Sequence, residues 1–380
     1  MVDIRRTLHR RPELAFEEKE TAETLIRELE SLSIPYSYAG PGSGVVGRLT
    51  AGPDRPTVAL RADMDALPVV ETTGLPFAST IEGNMHACGH DAHMAMVIGA
   101  AHLLAESPPD VNVRFVFQPA EERGGGARTV LASGLLDDVD AIFAAHVTHH
   151  YLAGEVMVAA GTITAQSDRF TIRVTGRGGH GARPHEAVDA IVITGLLIGA
   201  IQTLVSREID PTHPSVVTIG RIEAGTAANV IAETAVLEGS IRSTRADVRE
   251  LLHDGIRRMA AAFGQLYAAD LDVEIQQGYP PVVNTPTEAE LAHRAVRAIL
   301  GEPSLRQLDH PSMGAEDFSY YLQRIPGCYM RFGARPPDSE YIPLHSPAFD
   351  IDEAVLRVGA AVFDKIVRMA PEVYPTRSTG

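Results

Sequence analysis

Apolar stretches with strand character alternate with helical stretches from residue 45 to residue 146, and this alternation constrains the fold more than any other feature of the chain. It is typical of a mostly parallel sheet that is covered by helices on both faces. The ends of the expected strands carry polar residues, namely Asp63, Asp65, Glu121, Glu122 and His146. In such sheets, functional sites lie beyond the carboxyl ends of the strands. We therefore expect these side chains to share one edge of the sheet.

The pattern changes near residue 169. Between Phe170 and Gln276 the expected elements follow in the order β-α-β-β-α-β, which is that of a ferredoxin-like α+β unit. A chain of 380 residues is also long enough for two domains. The sequence therefore predicts an α/β protein with a larger domain built from residues 1–165 and 280–380, into which a smaller domain, residues 166–279, is inserted.

Composition argues against several classes of function. A net charge of −16 disfavours nucleic acid as a partner, because phosphate binding requires clustered cations. The longest apolar run, Ala190 to Val205, is short for a membrane span and contains two glycines. The N-terminal residues carry no apolar signal core. Two distant cysteines, Cys88 and Cys328, do not make a disulfide framework. We expect a cytoplasmic protein that binds neither nucleic acid nor membrane.

The stretch from Met85 to His93 concentrates candidate metal ligands. It holds Cys88, three histidines and an aspartate within nine residues, directly before a helical run. Thiolate and imidazole are the side chains that hold zinc and similar divalent ions. Taken alone, the stretch is also compatible with a polar loop that contains a buried free cysteine.

Adjacent carboxylates, Glu121 and Glu122, follow an apolar strand. Alternation along an extended chain points them in opposite directions, so one can bind metal while the other takes a proton from an activated water. A solvated corner is the ordinary alternative for such a pair. Five ligand-type residues then suit two divalent ions, whether zinc, manganese, cobalt or nickel: Cys88, His90, Glu122, His146 and His345. Asp65 is a candidate to orient a ligand imidazole through its second ring nitrogen.

The predicted inserted domain carries further candidates. Gly176 to Gly181 formally matches the dinucleotide fingerprint GxGxxG, but the helix and the following acidic strand end that this fingerprint requires are missing. A nucleotide-binding oxidoreductase is therefore the less favoured alternative, and the loop can instead present His180 to a developing oxyanion. Asn229 and Arg242 could bind a substrate carboxylate. A turn amide and a surface charge explain these two residues equally well.

Six motifs together resemble the amidohydrolase branch of the aminoacylase/carboxypeptidase metallopeptidases, which includes N-acyl-amino-acid deacetylases, hippurate hydrolases and auxin-conjugate hydrolases. They cover most of the chain: Leu8-His9-x-x-Pro12-Glu13-Leu14, Arg61-Ala62-Asp63-Met64-Asp65-Ala66-Leu67-Pro68, His86-Ala87-Cys88-Gly89-His90-Asp91, Phe117-Gln118-Pro119-Ala120-Glu121-Glu122, His180-Gly181-Ala182-Arg183-Pro184-His185 and Met313-Gly314-Ala315-Glu316-Asp317-Phe318.

The resemblance implies a zinc-peptidase-like catalytic domain that binds two metal ions, with an inserted lid that commonly dimerises. It assigns the five ligand-type residues as metal ligands and Glu121 as the general base. It also makes His180 a donor to the oxyanion that forms in the partner subunit's active site. The expected substrate is an N-acyl amino acid or a short peptide, with a carboxypeptidase or dipeptidase as the alternative. One departure is local: the prolines expected after His146 are absent from Thr148-His149-His150.

Overall fold

The computed structural model describes residues 1–40 and 44–376, which form two compact units. The first unit comprises Met1–Ile163, Val283–His310 and Asp317–Gly380, and the second comprises Thr164–Val282 and Pro311–Glu316. The segment 311–316 thus groups with the second unit, whereas the sequence interpretation had placed it in the larger domain. The reason is a backbone pairing with the start of the second unit: Thr164 forms a parallel bridge to Ser312, and the Ala165 N–H donates to the Ser312 carbonyl.

The helices and strands follow the predicted alternation, with additional short elements. The α-helices are α1 (Val2–Arg10), α2 (Lys19–Ser31), α3 (His90–Glu106), α4 (Gly126–Ala132), α5 (Ala190–Thr203), α6 (Ala246–Tyr267), α7 (Pro286–Leu300), α8 (Ser319–Leu322) and α9 (Ala354–Met369). The strands are β1 (Tyr36–Tyr38), β2 (Val45–Leu49), β3 (Thr57–Asp63), β4 (Asn112–Gln118), β5 (Ala141–Leu152), β6 (Val156–Met157), β7 (Gly161–Thr162), β8 (Gln166–Thr175), β9 (Gly179–His180), β10 (Ser215–Ala224), β11 (Val230–Ile231), β12 (Thr234–Ser243), β13 (Asp270–Gln277), β14 (Val283–Asn284), β15 (Leu305–Arg306) and β16 (Gly327–Arg335).

The first unit is built on an eight-stranded sheet in the order β1-β2-β4-β3-β5-β16-β6-β15. Its centre is parallel: β3 pairs in parallel with β4 and with β5, and β5 pairs in parallel with β16. Antiparallel pairs appear towards both edges, so the sheet is mixed. This confirms the α/β class that the alternation predicts, and it brings the carboxyl ends of β3, β4 and β5 to one edge.

Helix α3, the next helix or strand along the chain after β3, is buried over most of its length. It packs against α9 and α1. Gly89, the residue before the helix, has φ +83°, and a Cβ added there would lie 2.3 Å from Cγ2 of Val147. Glycine is therefore required by both the backbone conformation and the close approach of β5. The consequence is that His90, the first residue of the helix, lies beside that strand.

The second unit contains a four-stranded antiparallel sheet in the order β10-β12-β8-β13. In chain order these are its second, third, first and fourth strands, which is the ferredoxin-like arrangement. Helices α5 and α6 contact each other and pack on the sheet. Its core is apolar, with Phe170, Ile172 and Leu237 at its centre. A lid or dimerisation role for this unit stays a prediction.

Helix α5 is longer than the apolar run suggested. A π-helical turn, Leu204–Glu208, continues it, so that Ala190–Glu208 has 19 residues with a mean hydropathy of 1.7. By length and composition alone, a helix of this kind could cross a membrane. Its inner residues are buried in the core of the second unit, among them Ile193, Leu197 and Ile201. The helix is thus an integral part of a folded unit, with one side packed on the sheet.

Candidate metal centre

The five expected ligands come from four places in the first unit and converge in space. Cys88 and His90 flank the start of α3, Glu122 follows β4, His146 lies in β5 and His345 lies in the loop before α9. Donor atoms of Cys88, His90 and His146 lie within 4.8 Å of one another, and so do those of Cys88, Glu122 and His345. Cys88 belongs to both groups. The five side chains therefore form two adjacent groups of possible metal ligands that have Cys88 in common.

The spacing of the donor atoms suits direct metal ligation. The Sγ of Cys88 lies 3.4 Å from Nε2 of His146. Two ligands of a tetrahedral zinc ion, bound at about 2.3 Å and about 2.0 Å, lie roughly 3.5 Å apart. On the other side, Nε2 of His345 lies 3.3 Å from Oε1 of Glu122. Both spacings are those expected of two donors to one divalent ion.

Backbone carbonyls fix the imidazoles of His90 and His146 in the orientation that metal binding needs. The Nδ1–H of His90 donates to the Asp65 carbonyl at 2.8 Å, and the Nδ1–H of His146 donates to the Val147 carbonyl at 2.7 Å. The Nε2 of both rings therefore points into the cluster. For His90 this nitrogen is buried and has no hydrogen-bond partner among the described residues. An orphaned buried nitrogen of this kind is what a metal ion satisfies.

The electrostatics of the cluster favour a cation. Burial and the carboxylates of Glu122 and Glu121 raise the pKa of the Cys88 thiol well above its ordinary value. Burial alone would lower the pKa of His90, but nearby carboxylates, that of Asp63 above all, raise it to about 10. The surrounding negative charge disfavours the thiolate form of Cys88 and favours a bound cation. A divalent cation at this position would in turn stabilise the Cys88 thiolate. The residues therefore fit a pair of metal ions.

Asp65 clamps the two carboxylate residues through their backbones. Its carboxylate accepts the Glu121 N–H at 3.0 Å and the Glu122 N–H at 2.9 Å. The sequence interpretation gave this carboxylate the task of orienting a ligand imidazole, but the hydrogen bond to His90 comes to the Asp65 carbonyl, and the carboxylate is 3.5 Å from that ring nitrogen. Both carboxylate oxygens are already engaged by backbone amides. Asp65 thus orients His90 with its main chain and the glutamates with its side chain.

The turn that carries Glu121 is held by two more buried acids. Ala120 has φ +53°, a left-handed conformation that non-glycine residues rarely adopt, and its N–H donates to Oε1 of Glu18 at 2.8 Å. Asp317 donates its own N–H to Oε1 of Glu121 at 3.4 Å. Its carboxylate accepts from Arg61 and Gln118. The glutamate that sequence reasoning singled out as a base therefore sits on a strained turn that is fixed from several sides.

A histidine–aspartate pair behind the cluster was not assigned from the sequence. The Nδ1–H of His93 donates to Asp63 at 2.6 Å, and its Nε2 accepts the Val147 N–H at 2.9 Å. The His93 ring lies edge-on to His146, with ring centroids 4.6 Å apart. Burial would raise the pKa of Asp63, but His90, His93 and Arg61 hold it well below its usual range. Position alone could have suggested the pair, since Asp63 ends β3 and His93 shares a helix turn with His90.

The remaining candidates lie on the second unit. His180 is in β9 and pairs with Val230 of β11, while the Gly181 N–H donates to the Asn229 carbonyl at 2.9 Å, so His180 and Asn229 are neighbours. Arg242 is half-buried in β12, and its guanidinium donates to the Met313 carbonyl at 2.8 Å. Burial lowers the pKa of Arg242. Among the residues that the structure describes, no carboxylate forms an ion pair with this side chain.

The glycine-rich loop from residue 176 to residue 181 lacks the setting of a dinucleotide site. It leads into the two-residue strand β9 and then to a 3₁₀ turn, Pro184–Glu186, and the strand that follows β8 in the sheet is antiparallel. A dinucleotide site requires an α-helix whose N-terminus faces the phosphates, and a parallel strand beside it. The loop instead positions His180.

Comparisons with known proteins agree with this geometry. The chain is 40% identical over 367 residues to thermostable carboxypeptidase 2 of Saccharolobus solfataricus, covering 95% of this chain and 92% of that protein. It is 38% identical over 373 residues to N-acetylcysteine deacetylase of Bacillus subtilis, covering 96% and 95%. A solved structure of the Bacillus subtilis YXEP protein, described as a dinuclear metal binding peptidase, superimposes with a TM-score of 0.85 at 36% identity, covering 98% and 97%.

These relatives are hydrolases, and the solved structure shares both the fold and the sequence pattern across nearly the whole chain. The family model described as peptidase family M20/M25/M40 matches residues 59–369, which includes every residue of the candidate centre. The resemblance seen in the six sequence motifs is thereby confirmed. The chain belongs to the M20/M25/M40 peptidase family and is a metal-dependent hydrolase.

Proposed function

We propose that this enzyme hydrolyses the amide bond of N-acyl amino acids, with Glu121 as the general base. The observation that carries the proposal is the position of Glu121: its carboxylate lies within 4.8 Å of donor atoms of His90 and Glu122, while its neighbour Glu122 also belongs to the group with Cys88 and His345. One carboxylate thus joins the ligands and the other remains beside them. That is the division of labour that hydrolysis requires.

Two divalent ions, bound by Cys88, His90, Glu122, His146 and His345, would lower the pKa of water and polarise the scissile carbonyl. Glu121 then removes a proton from the attacking water and delivers it to the leaving amine. Asp65 and Asp317 hold Glu121 in place through the backbone contacts described above. His180, as the donor to the oxyanion, completes the proposal.

Arg242 of the second unit is a candidate to bind a free carboxylate of the substrate. Arg242 is half-buried and is hydrogen-bonded to a carbonyl, so its charge is available for an anion that forms a forked pair with the guanidinium. We propose that Arg242, assisted by Asn229, binds the carboxylate of the amino-acid half of the substrate. The acyl group is then the part that varies between substrates.

A substrate panel tests the function. The purified enzyme is supplied with zinc, manganese or cobalt and assayed on acetyl-, benzoyl- and indole-acetyl amino acids and on matched dipeptides. We expect kcat/KM for the best acyl amino acid to exceed that for the matched dipeptide by at least about tenfold, a difference of roughly 1.4 kcal/mol in transition-state binding. Chelation should abolish turnover reversibly. Bound metal without turnover on any member of the panel would contradict the proposal.

A carboxypeptidase or dipeptidase is the second candidate, because a relative with 40% identity is named as a thermostable carboxypeptidase. Both activities use the same metal chemistry. They differ in whether the carbonyl half of the scissile amide is a simple acyl group or an aminoacyl or peptidyl group. The same panel separates them, since a peptidase would prefer the dipeptides.

We also propose that the enzyme is a homodimer formed through α5 and β10 of the second unit. The outer face of α5 is apolar and exposed: Ile191, Val192 and Leu196 are each about half exposed, at 48%, 51% and 49%. Gly195 and Gly199 lie on the same face with open space around them, which allows another helix to approach closely. Strand β10 is an edge of its sheet and can pair with a second copy. An apolar face beside an open edge fits a self-complementary partner.

Leu196→Arg should convert the dimer to a monomer, because it places a charge at the centre of the apolar face. Light scattering coupled to gel filtration measures the mass. Leu251→Arg is the matched control, since Leu251 is 58% exposed on α6 of the same unit and lies outside the proposed interface. If His180 serves the partner subunit, L196R will also lose turnover while its metal content stays unchanged. A dimeric L196R protein would refute the interface.

A further inference from the structure

The loop that carries His345 has no regular structure to hold it. Residues 336–353, between β16 and α9, contain neither helix nor strand. His345 itself has φ +67°, a left-handed conformation, and its N–H donates to the Ala87 carbonyl at 2.8 Å. The position of this ligand therefore depends on contacts that the loop makes with the rest of the first unit.

One side chain of β5 bonds to both flanks of this loop. The Nε2–H of His149 donates to the Asp350 carbonyl at 2.6 Å, and its Nδ1 accepts the Ile342 N–H at 3.2 Å. These partners lie three residues before and five residues after His345. The ring is 2% exposed and packs against Phe349, with ring centroids 5.1 Å apart. Both ring nitrogens are thus occupied by the loop.

We propose that His149 is a positioning residue that holds His345 where the second metal ion needs it. Strand β5 then contributes to both ions, directly through His146 and indirectly through His149. The inference rests on the proposed role of His345 as a ligand. It also accounts for the departure from the expected sequence after His146, because a proline has neither a side-chain donor nor an acceptor for the two backbone groups.

Other hydrogen bonds hold the loop at its downstream end. The loss of the His149 hydrogen bonds should therefore affect the part of the loop around His345. The Thr72 N–H donates to the Pro347 carbonyl and the Asp352 N–H donates to the Ala334 carbonyl, both at 2.8 Å. These bonds anchor the downstream part of the loop. The upstream part meets β5 at Ile342, which bonds to His149, and at Tyr341, whose ring lies against His150 with centroids 5.0 Å apart. Loss of the His149 bonds should therefore loosen His345 without releasing the whole loop.

The test uses His149→Phe, which keeps a buried ring but removes both hydrogen bonds. Metal content is measured after dialysis against a fixed free concentration of zinc, and amide hydrogen exchange of residues 340–350 is measured on the metal-free protein. We expect the wild type to bind two ions and H149F to bind the second one about 10- to 100-fold more weakly, the usual cost of losing a group that orients a ligand. Exchange across the loop should become faster in H149F.

Three further proteins separate positioning from general damage. His150→Phe replaces the adjacent, exposed imidazole but keeps a ring against Tyr341 of the loop, and it should behave as the wild type does. Ile342→Pro leaves His149 intact but deletes the N–H that it accepts, and should weaken the same ion. In a His345→Ala background, H149F should cause no additional loss of metal, because the ligand it positions is already gone.

Two results would overturn the inference: unchanged affinity for both ions in H149F and I342P, or unchanged hydrogen exchange in metal-free H149F. Failure of the metal centre itself would be visible separately. In that case the wild type and H345A would bind the same amount of metal, while the exchange experiment would still decide whether His149 holds the loop.

Discussion

Glu121→Gln should reduce turnover by between about 10² and 10⁴-fold and leave metal content and stability unchanged. The amide has nearly the shape of the carboxylate and can still accept the Asp317 N–H, but it cannot take a proton from water. The backbone of Glu121 remains clamped by Asp65. Steady-state kinetics on the best acyl amino acid, with metal analysis of the same samples, makes the measurement.

The neighbouring residue provides the matched control. Glu122→Gln changes the same atoms one position along the same turn, but in a side chain that belongs to the ligand cluster. We expect E122Q to lose metal, and to lose activity in proportion to the missing metal. An E121Q protein with wild-type turnover, or one that loses metal as E122Q does, would show that the two glutamates do not divide the work as proposed.

The candidate site was predictable from sequence because its ligands are chemically distinctive and follow strand ends. Cys88 and His90 lie in one short stretch, Glu122 follows β4, and His146 follows the apolar first half of β5, which continues to Leu152. The topology of such a sheet brings these ends together whatever the loops between them do. The alternation along the chain therefore accounts for the approach of Glu122 and His146, whereas Cys88, His90 and His345 reach the cluster through the segments that precede α3 and α9.

The supports of the site were not predictable in the same way. Glu18 holds the turn before Glu121 from a distance of 102 residues along the chain, and no local pattern marks a glutamate before a helix as buried. In the sequence, His149 is only a departure from a motif. Its two hydrogen bonds to the backbone of a distant loop have no local sequence signal. The sequence did not indicate that the carboxylate of Asp65 also accepts the backbone N–H groups of Glu121 and Glu122. Sequence patterns identify groups that react, but the groups that hold them are selected by packing.

The segmentation of the chain follows the same logic. The change of pattern near residue 169 marks the second unit, since periodicity reports which faces are buried. The six residues 311–316 belong to that unit because of one short parallel pairing with Thr164 and Ala165. A pairing between segments almost 150 residues apart leaves no local signal, so hydrophobic periodicity does not assign such a segment.

Arg61→Met should destabilise the first unit by about 3–5 kcal/mol, because it removes one partner from a buried ion network. The guanidinium is fully buried and pairs with Asp63 at 2.8 Å and with Asp317 at 2.9 Å. Methionine fills similar space but leaves both carboxylates without this cation. Urea unfolding followed by far-ultraviolet circular dichroism, at a fixed metal load, gives the free energy of unfolding.

Arg48→Met is the control, since Arg48 is exposed on strand β2 of the same sheet, and a change there should cost less than about 0.5 kcal/mol. The difference in the free energy of unfolding between the wild type and R61M should also shrink as the pH falls. In the wild type, the depressed pKa of Asp63 contributes stability above the unfolded pKa that is lost as the pH falls through the folded one. Without Arg61 the pKa of Asp63 is less depressed, so the two proteins converge in acid. If R61M and R48M unfold at the same urea concentration at neutral pH, the ion pairs of Arg61 do not stabilise the sheet edge on which the metal ligands depend.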